Sequence, residues 1–134
     1  MTGGTSAQTA ALVLFAHGAR DPSWADPFHR ILSRIRRLHP QTRVELAFLE
    51  VMQPDLASII SRLAPDFRRV SVIPLFLAQG GHLREDLPRL IDGIRVDHPG
   101  LRIDVAPAIG DSEELTDAIA DWAFTRHLDA ADQP

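Results

Sequence analysis

Short apolar runs alternate with amphipathic stretches along this 134-residue chain. Residues 11–16, rich in Val, Leu and Phe, predict a buried strand. From Trp24 to Leu38 the apolar positions Trp24, Phe28, Ile31, Leu32, Ile35 and Leu38 fall on helical spacing. Arg30, Arg34, Arg36 and Arg37 take the other faces, His39-Pro40 ends the helix, and Pro27 leaves its start open, because proline fits only a first turn. Arg43 to Leu49 predicts a second strand. Pro54 opens a helix with Leu56, Ile59, Ile60 and Leu63 on one face, stopped near Pro65. Val70 to Leu77 is a third strand, in which Pro74 is the last paired residue or the first of a loop. Leu87, Leu90, Ile91 and Ile94 mark a third helix ending before Pro99-Gly100, and Leu101 to Ala106 a fourth strand. Asp111 then caps a last helix, with Glu114 as its capping-box partner and Leu115, Ile119 and Trp122 turned inward.

The order βαβαβαβα with short connections predicts an α/β fold: a doubly wound, mainly parallel four-stranded sheet of flavodoxin type, flanked by helices through right-handed crossovers. The expected organisation is one domain over residues 11–128, between a disordered segment 1–10 and a disordered acidic tail 129–134. Four strands leave sheet edges with little cover, which favours pairing with a second copy.

Two of these strands end in histidine. His17 follows the first directly and is succeeded by Gly18, which lets the backbone turn sharply. His82 follows the third after Gly80-Gly81, where missing side chains leave room for a bulky group. Neighbouring strands of one parallel sheet would bring both imidazoles to its carboxyl edge, where open α/β sheets place ligands. Glu50 ends the second strand and adds a carboxylate to that edge, as a third metal ligand or proton acceptor. Taken singly, each has a plainer reading: a histidine closing a strand, a histidine beginning a helix, a solvated terminal Glu. The pair of imidazoles suits a borderline transition metal and takes up protons near neutral pH. Arg20, Arg84 and Arg89 lie close to this edge and offer carboxylate-binding forks, or else pair with Asp21, Glu85 and Asp86. His29, His39, His98 and His127 fall on or beside helices and are assigned no role.

Composition narrows the field. A net charge of −4 argues against nucleic acid as partner. All fourteen basic residues are arginine, planar forks able to grip a carboxylate with two hydrogen bonds. Without cysteine there is no disulfide, thiolate metal site or cysteine nucleophile, so any metal is held by His, Asp or Glu. No apolar run has the length of a signal core or membrane span, so a cytoplasmic address is expected. Gly18-Ala19-Arg20 lacks the glycines of a dinucleotide loop, no lysine exists for a P-loop, and no G-x-S-x-G elbow occurs. Phosphohistidine chemistry wants an arginine before the histidine, where this chain has Ala16. The phosphate loop of a flavin module and the acidic cluster of a receiver module are missing after strand one.

Three segments in register, from about Leu12 to Ile109, resemble the small class II chelatases that insert a divalent metal into sirohydrochlorin, the CbiX/SirB family. They are His17-Gly18-Ala19-Arg20-Asp21-Pro22, Phe48-Leu49-Glu50 with Pro54, and Pro74-Leu75-Phe76-Leu77 through Gly80, His82, Asp86 and Pro88. The resemblance implies that His17 is proton acceptor and metal ligand, His82 the second ligand, and Glu50 an acidic helper. It implies that Gln53 and the run Leu77, Ala78, Gln79, Gly80, Gly81 and His82 line the tetrapyrrole pocket, with Arg20 available to the substrate's carboxylates. Two departures stand out: Ala19 replaces the usual serine, and Gln53 stands where relatives often have Glu. Both are expected to tune binding without abolishing the reaction. Long members carry two such halves facing each other, which implies a homodimer for a single half.

The chemistry asked of these residues is compatible with their types. Two pyrrole protons leave as a metal enters a free tetrapyrrole, and a neutral imidazole can accept one. A metal held briefly by two imidazoles and a carboxylate keeps positions open for pyrrole nitrogens. A pocket that bends the macrocycle aims those nitrogens at the metal, using binding energy to do so. No permanently bound cofactor is implied. The resemblance implies that the divalent metal is a substrate, cobalt ahead of iron or nickel, for cobalamin or siroheme synthesis. The alternatives are a non-catalytic divalent-metal carrier using the same two histidines, and a structural α/β dimer in which they are incidental.

Overall fold

A computed structural model of the chain describes residues 10–131. Four strands, β1 (Ala10–Ala16), β2 (Arg43–Phe48), β3 (Arg69–Pro74) and β4 (Arg102–Val105), pair in the order β2-β1-β3-β4. All three ladders are parallel. Four α-helices alternate with them: α1 (Asp26–Leu38), α2 (Leu56–Leu63), α3 (Gly81–Asp97) and α4 (Glu113–Ala131). Short 3-10 helices at Pro22–Ala25 and Ile109–Asp111 precede α1 and α4. This is the expected α/β architecture. No helix among the described residues is long and apolar enough to cross a membrane.

The period of two along each strand divides the core into two layers. On one face Val13, Phe15, Val70, Val72 and Ile103 pack against Leu56, Ile59, Ile60 and Leu63 of α2 and Leu87, Ile91 and Ile94 of α3. On the other, Leu14, Ala16, Val44, Leu46 and Phe48 pack against Leu32 of α1 and Ala25. Fully burying one such side chain contributes roughly 1.5–3 kcal/mol, so these layers hold the sheet rigid beneath its loops.

Capping sets the element starts. Asp55, not Pro54, opens α2: its carboxylate accepts the Ser58 amide at 2.8 Å. Bonds from the Ser58 hydroxyl and amide hold this carboxyl below the usual carboxylate range. A carboxyl made more acidic by folding stabilises the fold above its unfolded value and loses that contribution as pH falls below it. Asp55→Ala is therefore expected to cost about 1 kcal/mol at neutral pH. Thermal melts should show that cost fading in acid; equal melting temperatures at neutral pH would contradict the cap.

Several element boundaries differ from expectation, the strand ends by one to three residues. The third helix begins at Gly81, six residues before its first expected apolar position, and carries Pro88 inside it. Its opening turns are too polar to show apolar periodicity. The last helix is capped by Ser112, whose hydroxyl accepts the Leu115 amide at 3.2 Å, because Asp111 is taken up by the preceding 3-10 helix. That helix continues through Ala131, so residues 129–131 are helical, and Ala10 belongs to β1. The rest of the two expected disordered ends, 1–9 and 132–134, lies outside the described residues. Most consequentially, Leu115, Ile119 and Trp122 do not point inward: they are 41%, 51% and 63% exposed, and no residue of α4 is buried.

Candidate active site at the carboxyl edge

The register of β1 on β2 decides which side chains meet at the sheet's carboxyl edge. Ala16 pairs with Phe48, and the ladder continues beyond the strands through Leu49 N–H to Ala16 O (2.8 Å) and Glu50 N–H to His17 O (3.0 Å). Locked in this way, the two chains emerge together, and His17 Nε2 lies 3.0 Å from Glu50 Oε1. Both side chains are about half exposed, at 49% and 59%. The His17 ring also stands edge-on to Phe76, with centroids 6.1 Å apart, and Phe76 in turn packs edge-on against Phe15 at 5.5 Å. A buried aromatic pair thus backs an imidazole whose other side is open.

Gly18 is required here. Its φ is +101°, and a Cβ on it would lie 1.9 Å from the Glu50 carbonyl oxygen. Only hydrogen fits between the two loops. Beyond Glu50, Val51 adopts φ of 69°, a left-handed conformation uncommon for a β-branched residue. Such strain tends to gather at functional sites. The Val51 side chain is 63% exposed there, and Leu77, at the carboxyl end of β3, is 66% exposed. Exposed apolar side chains thus follow both strands that neighbour β1. The sequence pattern carried no sign of Val51, since nothing local marks a valine for positive φ. Phe76 belongs to the Pro74-Leu75-Phe76-Leu77 segment, but its support of His17 depends on a contact between neighbouring chain segments.

The other expected site residues distribute as follows. Gln53 and Arg20 are exposed on the β2 and β1 loops. Leu77, Ala78 and Gln79 line a hollow of about 260 Å³ with Phe76, Arg84 and Gly110. Its floor is fixed by Gly110, whose amide donates to Phe76 O at 3.0 Å and whose missing Cβ admits the Leu77 carbonyl. Gly80 and Gly81 have open space where a Cβ would stand. His82 is exposed on the first turn of α3. Among the described residues, no three His, Asp or Glu side chains are close enough together to hold a metal. His17 and Glu50 are thus assembled, whereas His82 is not joined to them as a ready third ligand. Two glycines and an exposed helix start separate it from the strand, so register does not fix it as it fixes the other two.

Neutral His17 with Nε2–H donated to the Glu50 carboxylate keeps its Nδ1 lone pair as a base or ligand. A proton taken up at Nδ1 makes an imidazolium whose charge Glu50 faces directly. Larger hollows exist elsewhere. One of about 420 Å³ lies between Ala64 and Leu101, at the opposite end of the strands, and one of about 480 Å³ runs along the outer side of α1. Neither adjoins the His17–Glu50 pair. His98, assigned no role, lines the first and approaches the Ser61 hydroxyl at 3.3 Å, a tie between helix ends.

Comparison with known proteins gives concordant results. A family model described as CbiX matches residues 11–125. A sirohydrochlorin cobaltochelatase of Saccharolobus islandicus (strain L.S.2.15 / Lassen #1) is 30% identical over 118 residues, covering 81% of this chain and 88% of that protein. The crystal structure of a putative cobalamin (vitamin B12) biosynthesis CbiX protein from Marinobacter aquaeolei VT8 superposes with a TM-score of 0.78 at 30% identity, covering 90% of this chain and 98% of that one. The sirohydrochlorin chelatase SirB from Bacillus subtilis subspecies spizizenii, in complex with cobalt, shares the fold at a TM-score of 0.71 and 23% identity. The match covers 84% of this chain and 49% of SirB.

Proposed function

Since the chain belongs to the CbiX family, we propose that it is a lyase-type chelatase inserting a divalent metal into sirohydrochlorin. The observation that carries this reading is the hydrogen bond between His17 and Glu50 on an open, apolar-flanked sheet edge. In the reaction, His17 accepts a pyrrole proton at Nδ1 and Glu50 stabilises the imidazolium. His17, Glu50 and His82 hold the incoming metal in turn, with no lasting three-ligand cage. A loosely held metal is what delivery needs, since a closed ligand set would retain the ion.

Val51, Leu77 and Gln53 offer the flat macrocycle a surface, and Arg20 and Arg84 offer its carboxylates a bidentate partner. Cobalt is the metal of first choice, in keeping with the names of the relatives, with iron or nickel as alternatives for the same ligand types. The product enters cobalamin or siroheme synthesis, in the cytoplasm. The substrate cleft is proposed to form between two copies of the chain.

Anaerobic insertion of cobalt, followed by the absorption change of the tetrapyrrole, tests these roles. Glu50→Gln keeps the shape but loses the charge facing the imidazolium, and is expected to slow insertion by about 10- to 100-fold. His82→Ala is expected to raise the KM for metal at least about 10-fold, with a smaller change at saturating cobalt. Wild-type kinetics in both variants would contradict the assignment.

A further inference from the structure

The loop that leaves β2 reverses direction immediately after Glu50. The Met52 amide donates to Glu50 O at 2.7 Å, and Val51 between them has φ of 69°. A bond that spans only three residues, closed over a positive φ, is a γ-turn in its rare and strained form. Glycine would take this conformation freely, whereas a β-branched residue is crowded in it. Packing does not account for the valine either. Leu49 joins the core layer of α2 and α3, and Met52 joins the layer of α1. The Val51 side chain, set between these two anchors, stays exposed. Neither the turn nor the core asks for valine at this position.

The turn does fix the Glu50 backbone at both of its polar groups. The N–H donates to His17 O at 3.0 Å, and the carbonyl takes the Met52 amide. That carbonyl also lies against Gly18, where a Cβ would approach it to 1.9 Å. The ends of the loop are tied as well: Phe48 N–H donates to Pro54 O at 2.9 Å, and Phe48 forms a parallel bridge to Asp55. The Glu50 carboxylate has no comparable support. It is exposed, and among the described residues its one hydrogen bond goes to His17. A flexible, solvated side chain of this kind is aimed chiefly by the backbone that carries it.

We propose that Val51 is a positioning residue for metal insertion, whose stiff, strained turn holds the Glu50 carboxylate on the His17 imidazole. Once the surrounding bonds force a valine to positive φ, few neighbouring conformations are open to it. Glycine at the same place would wander over both halves of the φ range, and the carboxylate would wander with it. Strain retained beside a reactive group is a known means of keeping that group pre-organised. Val51 thus acts through Glu50, and the inference rests on the part proposed for Glu50 in the reaction.

Steady-state cobalt insertion by Val51→Gly, Val51→Ala, Glu50→Gln and the double variant Val51→Gly/Glu50→Gln tests it. Val51→Gly frees the turn and is expected to lower kcat about 10-fold, the lower end of the range for a group that orients a reactive one. Its melting temperature should stay at or above that of the wild type, because the strain is relieved. Val51→Ala removes apolar surface but keeps a Cβ, and with it the restricted turn. It is expected to raise the KM for sirohydrochlorin with a smaller loss of kcat than Val51→Gly. With Glu50→Gln already present, Val51→Gly should change kcat no further, since no charge remains to be aimed. Four results would overturn the positioning role and leave the chelatase reading intact: wild-type kcat in Val51→Gly, an equal loss of kcat in Val51→Ala, a lowered melting temperature in Val51→Gly, or independent effects in the double variant. Wild-type kcat in Glu50→Gln would overturn both the positioning role and the part assigned to Glu50.

Discussion

His17→Ala is expected to slow metal insertion by about 10²–10⁴-fold, the range for removal of a positioned general base. Stability should change by no more than about 0.5 kcal/mol, because the half-exposed side chain makes only a surface bond to Glu50 and an edge contact with Phe76. This separation of effects follows from the way the site is built. The rigid parts, β1, β2 and their continued ladder, are backbone. The reactive imidazole projects from them and holds up nothing. Anaerobic turnover measured beside a thermal melt checks both halves. A deficit under about 10-fold would make the base some other group. A large deficit accompanied by a collapsed melting temperature would make His17 structural.

Gly18→Ala should do the opposite, damaging fold and reaction together. The new methyl would stand 1.9 Å from the Glu50 carbonyl oxygen, and the residue would be forced to keep φ near +101°. Neither conflict can be relieved by rotating a side chain, since both partners are backbone. Separating the loops breaks the Glu50 N–H to His17 O bond and draws the carboxylate away from the imidazole. The expected loss is about 2–4 kcal/mol, a fall of about 10 °C in Tm for a chain of this length. Insertion should slow at least as much as in Glu50→Gln. Ala19→Ser, one position on, restores the residue common in the family and serves as the control, with a melting temperature close to wild type. A Gly18→Ala protein that melted with the wild type would show that the two loops are not locked as described.

How far these features could be read in advance depends on how local their cause is. Strand and helix order followed from periodicity, because burial on a sheet or against it imposes a repeat on the sequence itself. His17 was legible because a histidine, a glycine and the end of an apolar run coincide. Its partner was less so. Glu50 stands 33 residues away, and only the β1–β2 register makes it the neighbour of His17. Val51 and Gly110 were invisible, since a positive φ and a close approach are imposed by loops meeting in space. Helix α4 shows the limit most clearly. Leu115, Ile119 and Trp122 have the spacing of a buried face, yet all three are exposed. Apolar periodicity records the spacing of side chains along a helix, not what stands against them.

The His17–Glu50 edge is proposed to turn over substrate instead of merely binding metal. The most direct measurement uses the wild-type protein at a small fraction of the concentration of sirohydrochlorin, with cobalt in excess and oxygen excluded. The whole tetrapyrrole pool is expected to convert to its metallated spectrum, at a rate proportional to protein and well above that of cobalt alone. Conversion that stops at one equivalent of protein, or a rate equal to the protein-free control, would contradict it.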